Sequence, residues 1–288
     1  MQEIVGIKED YIAVMEENGI TYGGNQGFFG EVSDALSRRK EQNGCGMVAL
    51  TDIFLYLMSN PNSAAVMHAA TSQNPAPAMP AISPNPAPVV PAISPNPAPV
   101  VPVANNNKVA KIMSAAHTSA RYSTKTFANR ASYRECFDQM CKETGWHPGK
   151  YGMSSWMLVR RFNHMCRKSG IHLHARWGWK RTKIVERTRR MLEQDMPVIL
   201  CIPMMVLPWQ KKHQMNLYQY ENGQMRVKTA TQGHYVMITG IVEEKGEYYF
   251  RISSWGKMFY LPIEEYLKFV EEHFLGNILG NVMDIRRR

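Results

Sequence analysis

The chain has 288 residues, 44% of them hydrophobic, which is enough to bury the core of one large domain or two small ones. Its five cysteines stand at irregular spacings, which excludes a regular disulfide framework and indicates a reducing compartment. The net charge of +10 comes from 34 Lys and Arg against 24 Asp and Glu. Because no recognised nucleic-acid-binding motif accompanies this excess, a solvated basic face is favoured and a nucleic-acid partner is not expected.

The N-terminal segment is acidic and lacks the continuous apolar stretch of a secretory signal. No run of about 18 apolar residues occurs, so we expect no membrane span. These two features predict a cytoplasmic protein, and delivery by a dedicated secretion system is compatible with them.

The first strong element is an apolar run of helical length, Met47–Met58, which predicts a buried central helix. Cys45 lies immediately before it, between Gly44 and Gly46. A helix N-terminus stabilises a thiolate through its unpaired amides, and the glycines leave room for a substrate backbone. Taken alone, the feature also fits a buried structural cysteine.

A proline-rich tract follows at Asn74–Val103, in which a unit beginning with Asn-Pro-Ala-Pro recurs every eleven residues. Proline at this density prevents both helix and sheet, so the tract predicts a semi-rigid polyproline-II spacer rather than a docking ligand. The predicted organisation is an N-terminal part with the nucleophile helix (1–59), a largely disordered insertion (60–126) and a part with helices and a histidine-bearing sheet (127–288).

The part after the insertion begins with helical patterns and continues with strands. The elements predicted first are a short helix at Tyr133–Lys142, a helix capped by Ser154 or Ser155 and ended by Gly170, a helix at Lys183–Gln194 and a buried strand at Met196–Pro203. This order, with helices first and an antiparallel sheet second, predicts the α+β class.

Two strongly β segments, His234–Glu244 and Glu247–Trp255, flank Lys245-Gly246 and predict a hairpin. Another short strand follows, and Pro262 suits the first turn of the helix after it. His234 opens the first strand of the hairpin, where a cleft residue would lie. Cysteine chemistry needs a base within hydrogen-bond reach, and that base can be distant in sequence.

Three segments together resemble the papain-like superfamily: GCGMVALTDIFLYL, GHYVMITGI and a strand that ends in SSWG. They are most similar to the bacterial branch related to bacteriocin leader-processing peptidases. The resemblance covers roughly residues 20–58 and 130–270. It implies a papain-like α+β fold in which the central helix with the cysteine packs on an antiparallel sheet with the histidine. It also implies a cofactor-free cysteine peptidase that cleaves a peptide or amide bond in a peptide or protein substrate.

The resemblance also implies roles for individual residues. Cys45 is the expected nucleophile and His234 its base. Ser253 stands where the family has an Asn or Asp that orients the histidine, and a serine lacks a carboxylate's charge. Gln26 is favoured over Gln42 as the oxyanion-hole glutamine. Because of the serine, a catalytically weak or inactive papain-like module that binds peptides or a protein partner is the alternative.

A zinc site is disfavoured. Cys136 and Cys141 are five residues apart, so on one helix they point in different directions. No paired ligand spacing links them to His147, His164 or Cys166. His172 and His174 share one face of a possible strand but have no third ligand in the sequence nearby.

Overall fold

A computed structural model describes residues 1–8, 11–17, 19–30, 34–59, 126–127, 129–149, 152–204, 213–273 and 275–288. The helices are α1 Ala35–Asn43, α2 Cys45–Ser59, α3 Arg130–Thr144, α4 Ser155–Lys168, α5 Ile184–Glu193, α6 Ile263–Glu272 and α7 Gly276–Leu279. The strands are β1 Gln2–Gly6, β2 Ala13–Glu16, β3 Gly19–Ile20, β4 Thr126–Phe127, β5 Leu173–Trp177, β6 Val198–Ile202, β7 Met215–Glu221, β8 Gln224–Thr231, β9 His234–Glu244, β10 Glu247–Ser254, β11 Lys257–Pro262 and β12 Met283–Arg287.

The chain is α+β, with an antiparallel seven-stranded sheet and helices packed around it. The strand order is β1-β9-β10-β11-β7-β8, and β6 pairs with the same edge of β9 as β1 does. Two small sheets, β12-β5 and β3-β2-β4, complete the described strands. β1 comes from the N-terminal part of the chain and β9 from the C-terminal part, so both parts build one sheet.

α2 lies in the middle of the core, which explains why its sequence is almost continuously apolar. All of its residues except Met58 are buried, since it packs against β9 on one side and against α3 and α4 on another. The rings of Phe54 and Phe162 meet there at 5.2 Å between centroids. No helix in the described part of the chain is long and apolar enough to cross a membrane.

Several predicted elements are confirmed. The run Met47–Met58 lies within α2, the run Met196–Pro203 contains β6, and the predicted hairpin is β9 and β10. Its turn residues Lys245 and Gly246 have positive φ values of 53° and 83°. That geometry matches the right-handed twist of the two strands.

Other expectations need correction. Pro262 is the last residue of β11 and occupies the N-cap position of α6, so it immediately precedes the first turn in which it was predicted to lie. Strands also precede the first helix, and the hairpin of β7 and β8 was missed although Asn222-Gly223 is a strong turn signal. The proline-rich tract Asn74–Val103 and the rest of the predicted insertion up to residue 125 lie outside the described residues.

Candidate functional site

Cys45, His234 and Gln26 line one small cavity, together with Tyr235 and Trp255. Its volume of about 20 Å³ is room for little more than one water molecule. α2 supplies the cysteine and the start of β9 supplies the histidine, so contact between this helix and this strand brings the two residues together.

Cys45 is the first residue of α2 and is 8% exposed. Burial raises the pKa of its thiol, while the backbone N–H groups of Tyr235, Gly46 and Cys45 itself act in the opposite direction. The N-terminus of α2 does favour the thiolate, as expected, but desolvation of the thiolate has the larger effect on the pKa. A Cβ on Gly46 would lie 3.2 Å from both Met153 and Tyr235, which explains the glycine beside the thiol.

His234 is 6% exposed, and its ring stacks on Trp255 at 4.4 Å with 13° between the planes. Its Nε2 lies 2.8 Å from the Ser254 hydroxyl oxygen. Nδ1 makes no hydrogen bond to any described residue, so it is the nitrogen left to act as a base. Burial lowers the pKa of His234 to about 4, which keeps the imidazole neutral at pH 7.

Ser254, and not the predicted Ser253, contacts the histidine. Neighbouring residues of a strand point to opposite faces of the sheet, so only one of the two serines shares a face with His234. Ser253 is on the other face of β10; it also lines the cavity, and its hydroxyl donates to the Tyr22 carbonyl at 2.5 Å. The serine that contacts the imidazole is therefore one position later than the predicted serine. In a strand, a shift of one position exchanges the two faces.

Gln26 lines the cavity from the turn Gln26–Phe29, whereas Gln42 is exposed near the end of α1. The side-chain Nε2 of Gln26 donates to the Glu41 carbonyl at 2.6 Å. That bond uses one of the two amide hydrogens and fixes the side chain, leaving the second hydrogen for a ligand.

Asp52 is a cavity residue that the sequence analysis missed. It lies two turns after Cys45 on α2 and is 2% exposed. Its carboxylate accepts from the Tyr133 hydroxyl at 2.6 Å, the Gly24 N–H at 2.9 Å and the Tyr11 hydroxyl at 3.2 Å. Burial raises its pKa to about 6. The signal was present in the sequence, since Asp52 is the only charged residue in the run Met47–Met58.

Asp52 also ties the segment that carries Gln26 to the rest of the site. Gly24 packs so closely that a Cβ there would overlap the Tyr133 hydroxyl. The Gly256 N–H donates to the Gly24 carbonyl at 3.1 Å, and the Tyr22 N–H donates to the Gly256 carbonyl at 2.7 Å. The glutamine segment is thus fastened both to α2 and to the turn that follows Ser254.

Cys45 and His234 lie in the same cavity but are not hydrogen-bonded to each other. In the part of the chain that the structure describes, no hydrogen bond joins the Cys45 sulfur to the His234 ring. With a raised thiol pKa and a lowered imidazole pKa, the resting pair is thiol and neutral imidazole. Catalytic hydrogen bonds of unliganded enzymes are often long and tighten only with substrate.

The former zinc candidates lie apart from this site. All five cysteines are free and buried. Burial raises the pKa of Cys136 to about 11 and that of Cys166 to about 12. Among the described residues, no group of three or more His, Cys, Asp or Glu side chains is arranged to hold a metal ion.

Comparison with protein-family models, with curated protein sequences and with solved structures gives no match for this chain. Its function therefore has to be inferred from the residues and their geometry.

Proposed function

We propose that this chain is a papain-like cysteine hydrolase that cleaves a peptide or amide bond. The observation that carries the proposal is that Cys45, His234 and Gln26 line one cavity while Ser254 holds Nε2 of the imidazole. Nucleophile, base and oxyanion donor are the three functions that acyl transfer by a thiol requires.

In the proposed reaction, His234 Nδ1 takes the thiol proton as the Cys45 sulfur attacks the carbonyl carbon. The carbonyl oxygen gains the electron pair and is stabilised by the Gln26 Nε2–H and the Cys45 N–H. When the C–N bond breaks, the imidazolium gives its proton to the leaving amine. Water then attacks the thioester, again with His234 as base, and the acid is released from the regenerated thiol.

Ser254 acts through the histidine. When Nε2 carries the proton, it donates to the Ser254 hydroxyl, which leaves Nδ1 free to accept the thiol proton. The stack on Trp255 fixes the plane of the ring. A hydroxyl does not supply the negative charge of a carboxylate, so the imidazolium formed during turnover gains less stabilisation than in a Cys-His-Asp arrangement.

A second candidate is a papain-like module that binds a peptide without cleaving it. The raised thiol pKa and the missing sulfur–imidazole hydrogen bond favour this reading. The two candidates share the same cleft, so the experiment has to separate binding from turnover.

The proposal is tested with a library of quenched fluorescent peptides in reducing buffer, together with alkylation by iodoacetamide read by mass spectrometry. We expect turnover by the native chain, its complete loss in Cys45→Ala, and a loss of at least about a thousandfold in His234→Ala. Cys166→Ala is the control, since Cys166 is fully buried away from the cavity and its loss should leave turnover unchanged.

Cys45 should also be alkylated faster than Cys166 in the folded protein. Turnover that persists in Cys45→Ala would contradict the proposal. Equal alkylation of the two cysteines would do the same. Peptide binding that Cys45→Ala retains, with no turnover by the native chain, would support the binding module instead.

A further inference from the structure

A cluster of arginine and histidine side chains lies on the ribbon formed by β5 and β12. His174 and Arg176 of β5 lie directly opposite Arg286 and Asp284 of β12. Residues opposite each other in an antiparallel pair share a face, and so do residues two apart on one strand. These four side chains therefore lie on the same, outward face of the ribbon.

Asp284 is the only carboxylate in this group and is 6% exposed. Arg190 of α5 makes an ion pair with it, Arg286 reaches it at 2.9 Å, and Arg187 of α5 lies 4.0 Å from it. One negative charge is thus shared by three guanidinium groups. The arrangement holds the arginines in place and leaves a net positive charge.

Two more arginines add to this surface without being neutralised. Arg167 and Arg176 are exposed, and neither makes an ion pair within the described ranges. Burial lowers the pKa of His174, and the guanidinium groups of Arg288, Arg176 and Arg167 lower it further. His174 is therefore neutral, and its buried Nδ1 has no hydrogen-bond partner among the described residues.

We call this surface the arginine face: Arg187, Arg190 and Arg286 around Asp284, with Arg167 and Arg176 near His174. An exposed aromatic residue lies beside it. The Trp179 side chain is 55% exposed, and its backbone carbonyl accepts from Arg187 Nη2 at 2.7 Å. Arginine forks match phosphate oxygens, and an exposed indole offers a platform on which a base can stack.

We propose that the arginine face binds single-stranded nucleic acid, with phosphates on its exposed arginines, Arg167, Arg176 and Arg286, and a base stacked on Trp179. The exposed indole favours this ligand over an acidic protein segment, whose carboxylates would use the charges but not the ring. The surface is separate from the cleft that contains Cys45, because β12 and the cavity lie on different sides of β6. The proposal is independent of the hydrolase activity.

The test is fluorescence anisotropy of the full chain with a labelled oligo(dT) of about 16 nucleotides over a series of salt concentrations. We expect the logarithm of the binding constant to fall linearly with the logarithm of salt, by about 0.7 per phosphate contact. Arg176→Glu should weaken binding by about tenfold and make the slope shallower by about 0.7, the contribution of one phosphate contact.

Arg226→Glu is the matched control. It makes the same charge change on β8, at the opposite end of the seven-stranded sheet from β6, and should change affinity by less than about twofold. Trp179→Ala should weaken binding roughly tenfold without changing the salt slope. Thermal unfolding of each variant checks that the fold is kept.

Three results would overturn the proposal. Salt-independent or undetectable binding would leave a solvated basic face. Equal weakening by Arg176→Glu and Arg226→Glu would show attraction to the net charge and not to this surface. Binding of polyglutamate as tight as that of oligo(dT), unaffected by Trp179→Ala, would identify an acidic protein as the ligand class.

Discussion

Two buried aspartates show how differently this chain accommodates a carboxylate. Asp52 in the cleft is 2% exposed, and its partners among the described residues are neutral donors, two tyrosine hydroxyls and one backbone N–H. Asp284 in the arginine face is 6% exposed and lies among three guanidinium groups. The cleft therefore holds a carboxyl group whose pKa burial raises to about 6, whereas the carboxylate of the arginine face is surrounded by positive charges. A buried charge needs partners, but the kind of partner decides how it responds to pH and salt.

The largest expected effect is on how stability depends on pH. His234 has a folded pKa of about 4, below its ordinary value of 6.5, so it contributes stability above pH 6.5 that is lost as pH falls through 4. Asp52 has a folded pKa of about 6, above 3.8, so its contribution is present below pH 3.8 and lost as pH rises through 6. The two contributions oppose each other between pH 4 and 6.

Asp52→Asn should remove the contribution of Asp52 and leave that of His234. Relative to the native chain, the variant should lose about 2 kcal/mol of unfolding free energy as the pH falls from 6.5 to 4, at about 1.4 kcal/mol per pKa unit. Urea unfolding at each pH measures it. His234→Gln is the complementary variant and should show a relative gain over the same range. Parallel profiles for all three proteins would contradict the shifted pKa values of Asp52 and His234.

The next effect concerns the reactivity of the thiol in the same uncharged cleft. Because burial raises the Cys45 pKa and His234 is neutral, the alkylation rate should rise about tenfold per pH unit, or about a hundredfold from pH 6 to 8. Mass spectrometry of the Cys45 peptide over a pH series gives the rate. A plateau across this range would instead show a preformed thiolate–imidazolium pair and would contradict the neutral resting state.

Asp284→Asn tests the charged region. Removing the shared carboxylate leaves three arginines repelling one another, so the unfolding free energy should fall by about 2 kcal/mol, since the arginines are partly exposed. Asp52→Asn at pH 7 is the comparison, and because the partners of Asp52 are neutral, its effect on stability should not depend on salt. The loss in Asp284→Asn should shrink in 1 M salt, where the Debye length is about 3 Å. A loss that salt does not reduce would point to packing.

The smallest effect separates two adjacent serines. Ser254→Ala removes the hydroxyl that contacts His234, and we expect kcat to fall roughly tenfold through loss of one hydrogen bond. Ser254→Asp should shift the acid limb of the pH–rate profile upward, because a carboxylate stabilises imidazolium. Ser253→Ala breaks the bonds to the Tyr22 carbonyl and the Tyr11 hydroxyl, neither of which involves His234, and should leave that limb in place. A fall in kcat in Ser253→Ala with no change in Ser254→Ala would show instead that Ser253 orients His234, as the sequence predicted.

The elements predicted well are those whose signal lies within one segment. The apolar run of α2 and the alternating segments of β9 and β10 are long and complete in themselves, so periodicity identifies them. The strands β1, β5 and β12 are short, and this signal is weaker in them. They form because other parts of the chain offer them backbone partners, as β9 does for β1.

The candidate site divides in the same way. Cys45 between two glycines at a helix start and His234 at a strand start could be selected from the sequence, since each depends on its own local element. The choice between Ser253 and Ser254 could not, because it depends on which face of β10 meets the histidine. A one-residue uncertainty in register exchanges the two faces.

By itself, the sequence determined the α+β class, the buried helix behind Cys45 and the hairpin that begins at His234, because local hydrophobic pattern and turn chemistry are enough for these. Only the tertiary structure decided that Ser254 holds the imidazole and that Asp52 fixes the Gln26 segment. It alone also gathered Arg176, Arg190 and Arg286 around Asp284. These groups are distant along the chain, and only strand register and helix packing bring their charges within reach of one another.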